Sequence, residues 1–280
     1  MTSFNLVLLV ITGLVSGISQ IVNKRLSGSG HQSSVHAATI LTFNALMAIP
    51  FLFYGFAMPT TLRTWIMIVI SAVLYTLSYK FYFLTHKHAD VSLGIVVRRL
   101  SIVFSALLGI VFLKEHIDLS GWFGLVLILL SGIIVTLDGV NIRLTAGVLF
   151  ALVSAIFTAA AAIFDKQILA DVSPFTYVFI NPTLAALILV PRKGRIEEMR
   201  SLLKSHWKLI IASAVLADLG FALLMYVLQN TDVSRTIPIY KGLSLMITVV
   251  LGIFLLKERR NVMQKLLAVA IGILGIYLLS

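Results

Sequence analysis

No cysteine occurs among the 280 residues, so the chain has neither a disulfide framework nor a thiolate metal site, and its redox compartment cannot be read from cysteine usage. Charge is scarce as well. Asp, Glu, Lys and Arg make up 12% of the chain, against about a quarter in a soluble domain. With 59% hydrophobic residues and a mean hydropathy of +1.04, such a chain cannot wrap a soluble core in a polar shell. The surplus apolar surface faces lipid. Acids are scarcest, 11 against 22 Lys and Arg, for a formal net charge of +11. A nucleic-acid partner would need those cations on one soluble face. They fall mostly between apolar runs, so the expected partner is a lipid bilayer and not nucleic acid. No basic region precedes the first apolar run at Phe4, which therefore reads as a mature membrane helix rather than a cleaved signal. Paired catalytic carboxylates, HExxH, GxSxG and a phosphate-cradling glycine loop are all missing, so the sequence does not read as an enzyme. His86 and His88 are two apart at a helix end, and His31, His36, His116 and His206 are scattered. No metal and no cofactor is expected.

What is present is a series of apolar runs. A spanning helix needs roughly 20 such residues. The runs predict ten helices, over 4–24, 36–56, 64–85, 91–113, 119–138, 145–164, 174–191, 208–229, 233–256 and 262–279. Residues 192–207, RKGRIEEMRSLLKSHW, read as a short amphipathic surface helix.

The chain also repeats itself. GIVFLKEH (109–116) returns as GIFLLKER (252–259), and LILLSG (127–132) aligns with AIGILG (270–275). Asp90-Val91-Ser92 matches Asp232-Val233-Ser234, Asn44 pairs with Asn181, and LVS (14–16) recurs at 152–154 ahead of Lys24 and Lys166. Residues 1–142 and 143–280 therefore read as two five-helix copies. Five is odd, so the second copy is inverted, the architecture of many secondary transporters. Loop charge follows the inversion. Lys24 and Arg25, Lys87, the cluster from Arg192 to Lys208, and Lys257, Arg259 and Arg260 each face a less basic counterpart. That bias puts loops 1–2, 3–4, 7–8 and 9–10 inside and both termini outside.

On these residues the sequence resembles the drug/metabolite transporter superfamily, in particular its EamA-type ten-helix members. The resemblance rests on Lys114-Glu115 and Lys257-Glu258 ending helices 4 and 9, on Gly132 and Gly275 in the small-residue helices 5 and 10, and on Lys24 and Lys166 ending helices 1 and 6. It covers nearly the whole chain. It implies an all-α basket of ten helices, alternating access, and a central cavity lined mainly by helices 1, 3, 4, 6, 8 and 9. It does not select among amino acids, sugars, nucleotide-linked sugars, phosphorylated metabolites and drugs.

Charges inside a membrane mark function by default. Arg98 and Arg99 lie about eight residues into helix 4, roughly 12 Å deep at 1.5 Å per residue. Lys241 lies at a similar depth in helix 9 and is their counterpart in the repeat. Arg forks onto carboxylate or phosphate, so these three cations predict an anion-binding cavity; the other reading is internal neutralisation. The resemblance adds that the family's phosphate-exchanging plastid members use basic residues at this level, which Arg99 and Lys241 match in position. Asp218 is the one acid well inside the predicted spans, expected as a counter-ion or, alternatively, a proton carrier. Pro238 predicts a helix break beside the site, softened at Gly94 and Thr236, or else a structural kink. Ser16, Ser19, Gln20 and Asn23 share a face of helix 1 and line the cavity or bond a neighbouring helix. Asn44 and Asn181 serve substrate or interhelical packing. Tyr75, Tyr79 and Tyr82, with Tyr226 and Tyr240, form an aromatic wall or anchor helix ends. Lys80 snorkels to the interface, and Gly13-xxx-Gly17 is a close-packing motif.

The resulting expectation is a secondary transporter in a cell membrane. Its substrate is a small organic molecule with an anionic group, and ten helices suffice for a monomeric pathway. The alternatives are a carrier of neutral or zwitterionic solutes such as amino acids, or a lipid flippase.

Overall fold

The structure, a computed structural model, describes residues 2–27, 33–53, 55–88, 97–136, 146–189, 193–255 and 261–280. Ten helices, numbered here in chain order, carry these segments: α1 (Ser3–Ser27), α2 (Ser33–Met47), α3 (Leu62–His88), α4 (Ser101–Leu113), α5 (Leu119–Thr136), α6 (Ala146–Ile168), α7 (Pro174–Ile188), α8 (Lys193–Gln229), α9 (Val233–Leu255) and α10 (Val262–Leu279). A short 3-10 helix, Ile49–Phe53, follows α2. Among the described residues there is no strand. Six of the helices are long and apolar enough to cross a membrane. The predicted repeat boundary at 142/143, Gly94, the 90–92 motif, His31, Arg192 and Lys257 to Arg260 lie outside the described residues. So do the side chains of Lys24, Arg25, Tyr82, His86, Lys87, His88, Lys193 and Arg195.

The amphipathic segment is helical from Lys193, as predicted, and non-helical backbone at His206 (φ −133°, ψ 23°) sets it off as a distinct first part of α8. Its apolar side packs Leu202, with Ile210 beyond the kink, against Leu26 and Val35, which explains its amphipathic pattern. One prediction needs correction: the proposed break at Pro238 is absent. Helix α9 runs through Pro238 without interruption, whereas its counterpart tightens. Residues 97–99 are helical, Leu100 is a turn, and Leu100 N–H bonds the Val97 carbonyl at 3.0 Å before α4 begins. A proline one turn into a helix leaves most of the ladder intact.

Polarity is inside out relative to a soluble bundle. Thr12, Ser71, Ser154, Asp165, Thr176, Asn181 and Asp218 are buried, while Phe4, Val7, Leu149, Ile156, Leu219, Ile273 and Tyr277 are exposed. Most interior hydroxyls are satisfied locally, as Thr12 to the Leu8 carbonyl (2.7 Å) and Thr76 to the Ala72 carbonyl (2.8 Å), or between helices; those of Ser131 and Ser234 have no partner among the described residues.

The helices pack mostly across the repeat. Each of these neighbours touches the next: α4, α9, α1, α8, α2, α7, α3 and α6, with α6 closing back on α4. The eight form a ring, and the α5–α10 pair lies against it through α9. Exchanging each helix for its repeat counterpart turns this ring into itself, so the two inverted five-helix repeats are interleaved. Small residues set the closest approaches. A Cβ on Gly13 or Gly17 of α1 would fall 2.8 Å from Leu243 or Ile247 of α9. On α5 and α10, a Cβ on Gly275 would lie 2.7 Å from the Gly124 carbonyl oxygen. Gly275 therefore meets Gly124, while Gly132 faces Leu245 and the stem of Arg99.

Candidate functional site: a cationic cluster, a buried carboxylate and a latched face

The three predicted cations converge. Lys241 Nζ donates to Ser101 Oγ at 2.7 Å, and both Arg98 and Arg99 are near enough for their charges to act on Lys241. Arg99 also acts on Tyr240, as does Tyr79 from α3. The tightened turn at 97–100 and the unbroken α9 bring these groups together. Tyr240 OH meets Ser16 Oγ of α1 at 3.2 Å, and Gln20 Nε2 donates to Ser244 Oγ at 2.6 Å. Ser16 in turn occupies the notch left by Gly220 of α8. Ser16 and Gln20 thus join α1 to α9 beside the cationic cluster. Asn23 accepts a hydrogen bond from Ser213 of α8 at 2.6 Å. Lys80 is exposed.

Asp218 does not join this group. It is 2% exposed, and its Oδ2 has no hydrogen-bond partner among the described residues. Its expected ion pair with Lys241 is not formed; Lys241 is turned to Ser101. Asn44 likewise buries Oδ1 without a partner.

Asn181 belongs elsewhere, in a cluster the sequence reading missed. Asp165 lies inside α6 and is 1% exposed. Its Oδ1 accepts from Ser71 (2.7 Å) and Tyr177 (2.5 Å), and Oδ2 accepts from Tyr75 (2.7 Å). Asn181 Nδ2 donates to Tyr177 OH (2.6 Å) and Ser71 Oγ (3.3 Å). The predicted helix stopped at 164 because Asp165 and Lys166 looked like loop charges. The repeat held the missing signal. In the frame that pairs Lys24 with Lys166, Asp165 pairs with Asn23, inside predicted helix 1, and Ser71 pairs with Ser213. The Asp165–Ser71 and Asn23–Ser213 bonds are counterparts.

One end of the bundle is latched. Glu115 accepts from the backbone N–H groups of Val233 and Ser234, both at 2.8 Å, capping the start of α9. Lys166 Nζ donates to the carbonyls of Leu228 (2.9 Å), Gln229 (3.0 Å) and Thr231 (2.9 Å), closing the end of α8. The α8–α9 turn is thus held by an acid from one repeat and a base from the other. At the same face Thr64 donates to Asp171 (2.8 Å) and Ala57 N–H to Thr176 (3.1 Å). Exposed Asp118 pairs with Arg235 at 3.3 Å. A hydrogen bond from Ser120 holds its carboxyl below the usual carboxylate range.

Among the described residues no group of His, Asp and Glu could hold a metal ion. No curated protein matches the sequence. The fold does match a solved structure titled only as a protein crystal structure, with 14% identity and a TM-score of 0.77, covering 99% of this chain and 96% of that one. Two stretches, residues 3–137 and 145–280, each match the EamA-like transporter family. Two inverted repeats, apolar membrane-spanning helices and a double match across nearly the whole chain lead to one conclusion: this multi-pass membrane protein belongs to the EamA-like transporter family of the drug/metabolite transporter superfamily, whose members carry small solutes.

Proposed function

We propose that this chain is a secondary transporter that moves a small organic solute bearing an anionic group across a cell membrane by alternating access. The observation that carries this reading is Lys241. Its ammonium faces a neutral hydroxyl and two arginine charges within the helical bundle, and Asp218, the counter-ion expected from the sequence, leaves its Oδ2 without a hydrogen-bond partner among the described residues. Like charges gathered at low dielectric repel, and a bound carboxylate or phosphate relieves that repulsion. Arg98 and Arg99 would supply the fork, Lys241 the point charge, and Tyr240 and Tyr79 the wall. Ser16 and Gln20 would hold α1 to α9 as the pocket changes sides. The loop-charge bias supports termini on the outside, with tags at both ends labelled in intact cells.

The test is a thermal-shift screen of the purified protein with phosphorylated metabolites, dicarboxylates, amino acids, sugars and cationic drugs, with Lys241→Gln in parallel. A ligand at a hundredfold excess over Kd adds about 2.7 kcal/mol, on the order of 5 °C for a chain of this size. Anions should stabilise the wild type and lose their effect on Lys241→Gln. Stabilisation only by neutral, zwitterionic or cationic compounds, intact in the variant, would refute the anion reading.

A further inference from the structure

We propose that Asp165, with Ser71, Tyr75 and Tyr177, is a proton-binding site that couples protonation to opening of the latched face. The inference deepens the transporter reading and rests on it for the meaning of the coupling.

Four oxygen–oxygen contacts of hydrogen-bond length tie the cluster: Ser71–Asp165, Tyr177–Asp165, Tyr75–Asp165 and Ser71–Tyr177, the last at 2.9 Å. Three hydroxyls bring one proton each. The Asn181 amide donates to both Ser71 and Tyr177 from outside, so it fills acceptor positions and turns their protons inward. With Asp165 ionised, one of the four contacts has no hydrogen in it. One added proton on the carboxylate completes the set. Asp165 then donates to Ser71, Ser71 to Tyr177 and Tyr177 back to Oδ1, with Tyr75 still donating to Oδ2. The cluster holds one proton more than its hydroxyls supply, taken from and returned to water as carboxylate becomes carboxylic acid.

The occupant is a proton rather than a metal ion. Oxygens 2.5–2.9 Å apart leave no room between them for a cation that needs about 2.3–2.6 Å to each ligand. The counterpart position carries Asn23, an amide of the same shape that cannot titrate, so the site exists once per chain. The titratable groups facing Asp165 are Tyr75 from α3 and Tyr177 from α7. Residues 101–113 of α4 contain none. Lys166, next in the chain, is turned to the α8–α9 turn, where Glu115 and Asp232 act on its charge. Asp218 of α8 makes no hydrogen bond to the cluster.

Position gives the proton its consequence. Asp165 fastens α6 to α3 and α7, while Lys166 fastens the same helix end to α8 and the α8–α9 turn. Tyr75 is one turn from Tyr79, which acts on Tyr240 beside the cationic cluster. Loss of the proton leaves a buried anion and a missing hydrogen, which loosens α6 beside the latch.

Infrared difference spectra of the protein in nanodiscs, from about pH 5 to about pH 9, test the site without any substrate. Wild type should show a carboxylic C=O band that changes with pH in sodium and in choline buffer alike. The band should be absent from Asp165→Asn, retained in Asp218→Asn, and displaced in pH by Tyr177→Phe, which removes two contacts and one hydrogen and so leaves two contacts with two hydroxyl protons. A spectrum unchanged in Asp165→Asn, or a response to sodium, overturns the proposal. Coupling is read from Ser234→Cys, a buried position whose hydroxyl has no partner, in a chain with no other thiol. Its maleimide labelling rate should change about tenfold or more across that range and less than about twofold with Asp165→Asn added. Equal pH dependence with and without Asp165 overturns the coupling. Because neither readout needs the anion, its outcome is separate from that of the thermal-shift screen.

Discussion

Replacing Glu115 by alanine removes the acceptor for two N–H groups on fully buried residues, Val233 and Ser234. Glu115 is itself only 8% exposed, so water does not readily take its place. Each buried donor left unmade costs about 1–3 kcal/mol. Partial rehydration at the helix start should bring the sum to about 2–4 kcal/mol, in line with the upper range for lost caps. Glutamine keeps one acceptor oxygen and loses the charge that complements the helix dipole, so Glu115→Gln should cost about half as much. At about 2–4 °C per kcal/mol, the unfolding midpoint should fall on the order of 5–10 °C for Glu115→Ala and roughly half that for Glu115→Gln. Tryptophan fluorescence during heating in one detergent reads all variants. Exposed Lys114→Ala serves as the neighbouring control. A Glu115→Ala midpoint equal to that control, or a Glu115→Gln loss as large as the alanine loss, would refute the capping argument.

Lys166→Met strands three carbonyls of the same turn and should cost about 2 kcal/mol or more. Combined with Glu115→Ala the loss should be less than additive, because both hold one turn; strict additivity in the same melts would show the two clamps to be independent. Lys114 sits at φ 57°, where glycine has no Cβ penalty, so Lys114→Gly should raise the midpoint by the equivalent of about 1 kcal/mol. Gly275→Ala drives a Cβ onto the Gly124 backbone and should cost about 2 kcal/mol or more. Gly132→Ala meets the tip of Leu245 at 3.4 Å and the stem of Arg99 at 3.7 Å, ordinary contacts, and should be nearly neutral. Equal losses in these two variants would overturn the assignment of the α5–α10 crossing.

Much of the fold was legible in the sequence because lipid imposes length and hydrophobicity together. The ten apolar runs match the ten helices, and the odd number per copy dictates inversion. The proximity of the three cations was legible because Arg98, Arg99 and Lys241 interrupt apolar runs at matched depth. Asp165 was not, because a hydropathy window ends a helix at the first pair of charges and cannot see that Tyr75 and Tyr177 from distant helices will solvate a carboxylate. The roles of Glu115 and Lys166 were hidden for a related reason. Their motifs recur in both copies, but their partners are backbone atoms, which leave no mark on composition. Pro238 misled because propensity penalises proline without regard to its distance from the helix start.

Because each helix of the ring finds its principal neighbours in the opposite repeat, neither half encloses an interior of its own. The polypeptide behaves as two obligate subunits that happen to share one strand, with the covalent join raising their effective concentration to roughly the millimolar range. Separate synthesis of the halves would turn a first-order assembly into a second-order one, so yield should depend on the product of their expression levels. Each half made alone should expose its buried hydroxyls and amides to lipid and be removed by proteolysis.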